Sequence, residues 1–201
     1  VPRETLPTQV IEYILALKGF VKKPLLDVIN NSIYSSKGLK DFEDATVGEK
    51  ANMDKSIRSA EVAGFEEISI GSSVTRRSIY NGLNFLVADI LKLYKEKITP
   101  FAPMPETEIN FQFLYYTSKS KGHYKPHVDD FAANPRALTI LVGLSKKEDY
   151  EGGILHVVDF KTNGIKLDEG DVVAFPSNFM YPHTVLPVTK GERKVLVIWI
   201  R

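Results

Sequence analysis

The chain contains no cysteine in 201 residues. That absence excludes disulfide staples, zinc–thiolate sites and thiol nucleophiles, and makes a reducing cytosol the simplest setting. No apolar run reaches membrane-spanning length, and no charged-then-apolar leader opens the sequence. Val1 stands where an initiator Met would be, which indicates a trimmed start. Charge of one sign is lacking too: 26 basic against 25 acidic residues leave a net +1. That balance argues against a general nucleic-acid or membrane-surface binder. Histidine is scarce, with four in the chain, and there is a single tryptophan. A histidine-based metal site must therefore draw on a very small set.

Within that set the spacing is informative. His127 and Asp129 lie two apart after Tyr124-Lys125-Pro126, so on an extended strand both side chains leave the same face. Two ligands from one strand leave a metal site incomplete. His183 is the natural third, because it follows the strand-like run Asp171 to Phe175 and a short loop. Two imidazoles and a carboxylate form the facial triad of non-haem Fe(II) oxygenases, which leaves coordination positions open. Arg193, ten residues later, can hold a carboxylate through its planar fork. Lys194 beside it belongs to the opposite strand face. The other two histidines, His123 and His156, read as surface or hydrogen-bonded residues.

The length suits one domain, residues 1–201, with a mainly helical support region over 1–105 and a strand-rich core over 106–201. A first helix is predicted over Leu6–Phe20 and a second over Lys23–Tyr34, the latter with Pro24 in its first turn and Leu25, Leu26, Val28 and Ile29 buried. Ser35–Asn52 has no clear period and reads as a loop, either a cover for the site or a plain connection. Arg77–Ile98 is the clearest helix, with Ile79, Leu83, Leu86, Val87, Ile90 and Tyr94 on one face and Pro100 beyond it. From Ile109 the period changes from 3.6 to 2. Strands are expected over 109–116, Tyr124–Asp129, Ala137–Leu144, Gly153–Val158, Ile165–Leu167, Asp171–Phe175, Thr184–Val188 and Lys194–Ile200. Gly152 and Gly153 mark a tight turn. Helices first and short strands after give an α+β protein, a jelly roll buttressed by N-terminal helices.

The run Tyr150-Glu151-Gly152-Gly153, Leu167-Asp168-Glu169-Gly170-Asp171-Val172-Val173-Ala174-Phe175-Pro176, His183 and Gly191-Glu192-Arg193 through Trp199 resembles the 2-oxoglutarate- and Fe(II)-dependent dioxygenases. Within them it is similar to the prolyl 4-hydroxylase-like branch, above all the bacterial and phage PKHD-type hydroxylases. The similarity covers about the last ninety residues well and residues 110–129 moderately. It implies a double-stranded β-helix, and it maps His127, Asp129 and His183 onto the iron ligands and Arg193 onto the 2-oxoglutarate carboxylate. It also implies a tyrosine on that carboxylate. Tyr115 and Tyr116 both fit, and counting back from Tyr124 favours Tyr116. Thr139 is a further candidate for the co-substrate. Arg58, Arg136 and Trp199 fall where the relatives line a substrate cleft. The implied cofactors are Fe(II), 2-oxoglutarate and dioxygen, with ascorbate allowed as a reductant. Asp129, where related halogenases have Gly or Ala, favours hydroxylation over halogenation.

By this resemblance the expected reaction is hydroxylation of an unactivated C–H, most simply a prolyl residue in a peptide or protein, in the cytoplasm of a bacterium or a phage-infected host. A small molecule or a nucleobase would suit the same chemistry. Two readings from other classes stay open: a non-catalytic jelly-roll binding module, and a zinc hydrolase, which needs a general base that the motif does not supply. Lys119, Lys121 and Lys125 crowd the loop before the triad and read as a solvated hairpin, with attraction of an acidic peptide or a phosphate backbone as the alternative.

Overall fold

A computed structural model of the chain describes residues 13–47, 52–102, 108–158 and 164–201. The support region contains α1, Lys23–Ile33, and α2, Ser73–Lys97. Pro24 sits in the first turn of α1, where its missing N–H costs no hydrogen bond. The Ser72 side chain caps α2 by accepting from Thr75 N–H at 3.1 Å. Ile79, Leu83, Leu86, Val87, Ile90 and Tyr94 of α2 form the buried stripe that the helical spacing predicts; in α1 the expected Leu26 and Ile29 are buried together with Ile33, while Leu25 and Val28 are half-buried against the same core.

Among the described residues, twelve strands form two antiparallel sheets. The larger contains β1 (Leu15–Leu17), β2 (Glu43–Asp44), β4 (Glu61–Gly64), β5 (Ile109–Thr117), β7 (Leu138–Gly143), β8 (Tyr150–Gly152), β10 (Val172–Pro176) and β12 (Val188–Ile200). Its order is β1-β10-β7-β12-β5-β4-β2, with β8 paired to the start of β12. The smaller runs β3-β6-β11-β9, where β3 is Arg58–Ser59, β6 His123–His127, β9 Leu155–Val157 and β11 His183–Val185.

The central strands of the large sheet are buried on both faces, and alternation sorts their side chains into two cores. Phe111, Phe113, Ile140, Val142, Val172, Ala174, Leu196, Ile198 and Ile200 pack outward against the helices. Leu114, Tyr116, Leu141, Val173, Phe175, Val195, Val197 and Trp199 point inward against Leu155, Val157 and Val185 of the small sheet. Arg193 shares the inner parity. Lys194 takes the outer one, with its ammonium over the Tyr34 ring at 5.3 Å.

Several sequence expectations need correction. Leu15–Leu17 is an edge strand paired to β10, the flanking residues 13–14 and 18–20 are not α-helical, and residues 6–12 of that expectation lie outside the described residues. A short apolar run reads the same way for either element, and here the open edge of β10 captures it. The strand expected at Ile165–Leu167 is reduced to a bridge between Ile165 and Leu155. Pro187 ends β11 early, and β12 begins at Val188 because its first residues pair with β8. Ser35–Asn52 carries a 3₁₀ turn at Gly38–Asp41 and strand β2, and residues 48–51 lie outside the described residues.

A buried carboxylate anchors the N-terminal edge. Asp171, 3% exposed, accepts from Lys18 Nζ at 2.7 Å, Gly19 N–H at 2.9 Å and Asp168 N–H at 3.1 Å. Asp171→Ala leaves two backbone donors and a lysine without their acceptor. It is expected to lower unfolding free energy by about 2–3 kcal/mol in urea titrations, and a loss below about 0.5 kcal/mol would show that β1 is held by packing alone.

Candidate metal centre

The register of the small sheet builds the site. His183 of β11 lies directly opposite His127 of β6, which brings the ring centroids to 4.1 Å. Asp129 joins them from beyond the strand. The residues after His127 leave the sheet because the N–H groups of Asp129 and Asp130 both donate to the Ser177 carbonyl, at 3.2 and 3.0 Å. The expected single strand Tyr124–Asp129 therefore ends at His127, and the carboxylate reaches the imidazoles by a turn. One ligand atom from each residue falls within 4.8 Å of the others, a spacing that can hold a metal ion. Asp129 Oδ1 stands 3.7 Å from His127 Nε2, and Oδ2 stands 3.5 Å from His183 Nε2.

Each ligand is oriented from behind. His127 Nδ1 faces the Lys125 carbonyl at 2.8 Å and His183 Nδ1 faces that of Tyr181 at 3.3 Å. With Nδ1–H donating, both Nε2 lone pairs are directed at the site. Tyr124 stacks on the His127 ring at 3.4 Å between centroids. Asp129 Oδ2 accepts from Thr139 Oγ1 at 2.7 Å and Trp199 Nε1 at 3.1 Å, and Ser177 Oγ lies 2.8 Å from Thr139 Oγ1. Burial alone pushes the Asp129 carboxyl up. The charges of His183 and His127 and the Thr139 and Trp199 hydrogen bonds outweigh it, so Asp129 titrates below its ordinary value. Burial, assisted by His183 and opposed by Asp129, pushes His127 down to about 3, which keeps its imidazole neutral and ready for a metal.

Arg193 lines the same cavity and is 1% exposed. Its Nε has no partner, and among the described residues no carboxylate lies within ion-pair distance. Its guanidinium carbon sits 5.1 Å over the Tyr116 ring, and Gly153 passes so close that a Cβ there would lie 2.8 Å from Arg193 Cδ. Gly152 and Gly153 adopt φ of +73° and +59°, the tight turn expected from the sequence. A buried, unpaired cation is costly, so the cavity suits an anion.

Of the residues singled out from the sequence, His127, Asp129, His183, Arg193, Tyr116, Arg58 and Trp199 line this cavity. Tyr115 takes the other face, near Tyr34 and Phe42. Thr139 stands behind Asp129 and is absent from the cavity wall. Arg136 lies in an adjoining cleft, 3.7 Å over the Trp199 ring. His123 Nδ1 pairs with the Lys121 carbonyl at 2.9 Å, away from the triad. Lys119 and Lys121 sit on the exposed β5–β6 turn, with Lys125 exposed on β6. Sequence reasoning missed Ser177, Gln112, Tyr124 and Tyr150. Burial pushes the Tyr150 phenol up while the nearby Arg193 charge opposes it. Strand parity marks Gln112 as inward-facing, whereas the role of Ser177 depends on tertiary contacts.

Two outcomes follow. Thr139→Val removes one donor from Asp129 and is expected to weaken Mn(II) or Co(II) affinity about 10- to 100-fold. Quenching of Trp199, the chain's single tryptophan, provides the readout; Thr139→Ser should restore most of the affinity. The second concerns pH. An unfolded histidine titrates near 6.5, so below that value the unfolded chain takes up a proton that the folded His127 refuses. The metal-free protein should lose about 1.5 kcal/mol between pH 6.5 and 5 from this group alone. Urea midpoints should show the slope reduced by that amount in His127→Asn, and identical slopes would refute the assignment.

Comparison with known proteins places this geometry. Residues 111–201 match the 2OG-Fe(II) oxygenase superfamily model. A PKHD-type hydroxylase of Prochlorococcus marinus is 34% identical over 90 residues, covering 43% of this chain and 40% of that protein. The chain spans less than half the length of the curated relatives it matches. Among solved structures, a Trichoplax adhaerens prolyl hydroxylase in complex with a hypoxia inducible factor oxygen degradation domain peptide fragment has a TM-score of 0.72 at 16% identity, over 94% of this chain and 83% of that one. A Pseudomonas putida prolyl-4-hydroxylase has a TM-score of 0.68 at 18% identity, over 94% and 92%. These likenesses establish the double-stranded β-helix fold. The His127–Asp129–His183 cluster lies inside residues 111–201, the part of the chain that is similar to the 2OG-Fe(II) oxygenase superfamily.

Proposed function

We propose that the protein is a 2-oxoglutarate- and Fe(II)-dependent hydroxylase acting on a peptide or protein segment, with a prolyl ring as the favoured target. One observation carries this reading: a three-ligand cluster and a buried guanidinium that, among the described residues, has no carboxylate partner line the same cavity. His127, Asp129 and His183 would hold Fe(II). Arg193, with Tyr116 beneath it, would hold the distal carboxylate of 2-oxoglutarate. When bound, iron and 2-oxoglutarate would activate dioxygen, the oxidant, for attack on an unactivated C–H, the oxo acid being oxidised to succinate and carbon dioxide.

The chain's own residues contribute positioning and dryness. The carbonyls of Lys125 and Tyr181 fix the two imidazoles. Thr139 and Trp199 occupy Asp129 Oδ2. Leu114, Leu141, Leu155, Val185, Val195 and Val197 make the remaining wall apolar, which excludes water and strengthens the pairing of Arg193 with an anion. Among the described residues, no carboxylate or imidazole beyond the triad lines the cavity. A zinc hydrolase would lack its general base there. The peptide substrate is supported by the prolyl hydroxylases among the structural neighbours, one of them seen with a peptide fragment.

The test is succinate formation by protein supplied with Fe(II), ascorbate and 2-oxoglutarate, with and without a proline-rich peptide. His127→Ala should abolish turnover. Arg193→Ala should raise KM for 2-oxoglutarate at least about 30-fold, the cost of leaving a buried charge partner unmatched. Hydroxyproline in the peptide by mass spectrometry would establish the target. Turnover without peptide stimulation would keep the oxygenase and remove the prolyl substrate. Absence of turnover together with absence of Fe(II) binding would refute the enzyme.

A further inference from the structure

Beyond the triad the cavity adjoins a second cleft, whose walls include Thr46, Arg58, Gln112, Asn134, Arg136 and Trp199. Four buried side-chain atoms in these walls have no partner: Arg58 Nε, Arg136 Nε, Gln112 Oε1 and Asn134 Oδ1. Among the described residues only Asn30, Arg193 and Arg201 leave another such atom, so the unsatisfied groups are concentrated at one surface. Each carries a desolvation cost of about 1–3 kcal/mol that a matching ligand would offset.

The charges in this cleft are unbalanced. Arg58 donates from Nη1 to the Thr46 carbonyl at 3.1 Å and lies 4.7 Å over the Tyr124 ring, and among the described residues it has no ion-pair partner. Arg136 donates from Nη1 to the Asp129 carbonyl at 3.2 Å, and the nearest carboxylate oxygen, Asp129 Oδ1, is 3.9 Å away. That carboxylate belongs to the metal cluster. Burial lowers the Arg136 pKa, Asp129 opposes the shift, and the charges of Arg201 and Arg58 add to it. Two guanidinium groups therefore face one cleft whose only described carboxylate is already engaged.

We infer that this cleft selects a substrate peptide carrying an acidic side chain beside the target residue, the carboxylate lying between Arg58 and Arg136 while Gln112 and Asn134 take adjacent main-chain groups. The inference rests on the hydroxylase reading and adds to it a substrate class. A main-chain carbonyl alone would supply an acceptor without neutralising two part-buried cations. The unpaired amide oxygens call for N–H donors, which a peptide backbone presents next to its carbonyls and a phosphodiester does not.

The experiment uses the full chain, with and without Mn(II) and 2-oxoglutarate. Three fluorescently labelled peptides of one proline-containing sequence are compared by anisotropy, with Glu, Gln or Lys beside the proline. The Glu peptide should bind at least about tenfold tighter than the Gln peptide, with Lys weakest, and the spread should shrink as salt rises. Arg58→Glu should invert the order and favour Lys, and Arg136→Gln should narrow it. Metal quenching of Trp199 in Arg58→Glu verifies that the variant is folded. Equal binding of the three peptides, no measurable binding of any, an order unchanged in Arg58→Glu, or tighter binding of a single-stranded oligonucleotide would each overturn the inference. Loss of Mn(II) and 2-oxoglutarate binding in the wild-type protein would instead refute the hydroxylase reading, and is detected separately by Trp199 quenching.

Discussion

Asp129 ties the two sheets together at the place where chemistry is expected. Its backbone continues from β6 of the small sheet, and its side chain accepts from Thr139 of β7 and Trp199 of β12 in the large sheet. The two histidines come wholly from the small sheet, fixed by one antiparallel register. The cluster therefore exists only while the sheets keep their spacing, and the inner core of Leu114, Leu141, Leu155, Phe175 and Val185 sets that spacing. Displacement of either sheet would separate the imidazoles from their carboxylate. Packing in this fold is thus a condition for ligation as well as for stability.

The same interior holds two charged groups that a protein seldom buries without need. Asp129 is 6% exposed and Arg193 is 1% exposed, and they are not paired with each other. Asp129 is compensated from within by imidazoles and two hydrogen bonds. Among the described residues Arg193 has no carboxylate partner; it has the aromatic face of Tyr116 and the neighbouring Tyr150 phenol, and its Nε has no partner. A sequence selected for stability alone would place an apolar residue at this position of β12, like Val195 and Val197 that follow it on the same face. That cost supports the proposed role of Arg193 as an anion-binding group, and the low polarity of its surroundings would strengthen such a pairing.

What could be read from the sequence follows the range of the interactions involved. α1 and α2 were legible because apolar spacing, a first-turn proline and a downstream Pro100 are local signals. The opposite facing of Arg193 and Lys194 was legible because a strand has period two. Tyr116 and Tyr115 remained ambiguous for a physical reason: β5 is buried on both faces, so polarity cannot tell inner from outer. The pairing Arg193↔Tyr116 separates them, and that is a register between residues nearly eighty apart. Leu15–Leu17 looked helical because three residues carry too little period to resolve. The turn after His127 was invisible for a related reason, since the Ser177 carbonyl that draws it out of the sheet comes from a distant segment. The role of Thr139 behind the carboxylate could not be read for the same cause.

Three of the cleft and metal groups form a closed loop, which constrains how any single substitution can be interpreted. The Asp129 carbonyl accepts from Arg136, the Arg136 guanidinium lies on the Trp199 ring, and Trp199 donates back to the Asp129 side chain. Removing one member takes a contact from each of the other two, so effects at these positions will not add. A loss of metal affinity in Trp199→Phe could reflect the missing indole donor or a displaced Arg136, and only a double-mutant cycle separates them. The loop also gives the cleft a short physical connection to the metal cluster. A ligand that pulls on Arg136 acts on the backbone of Asp129 directly and on its side chain through Trp199. Recognition and ligation here share atoms, and the geometry needed for one restrains the other.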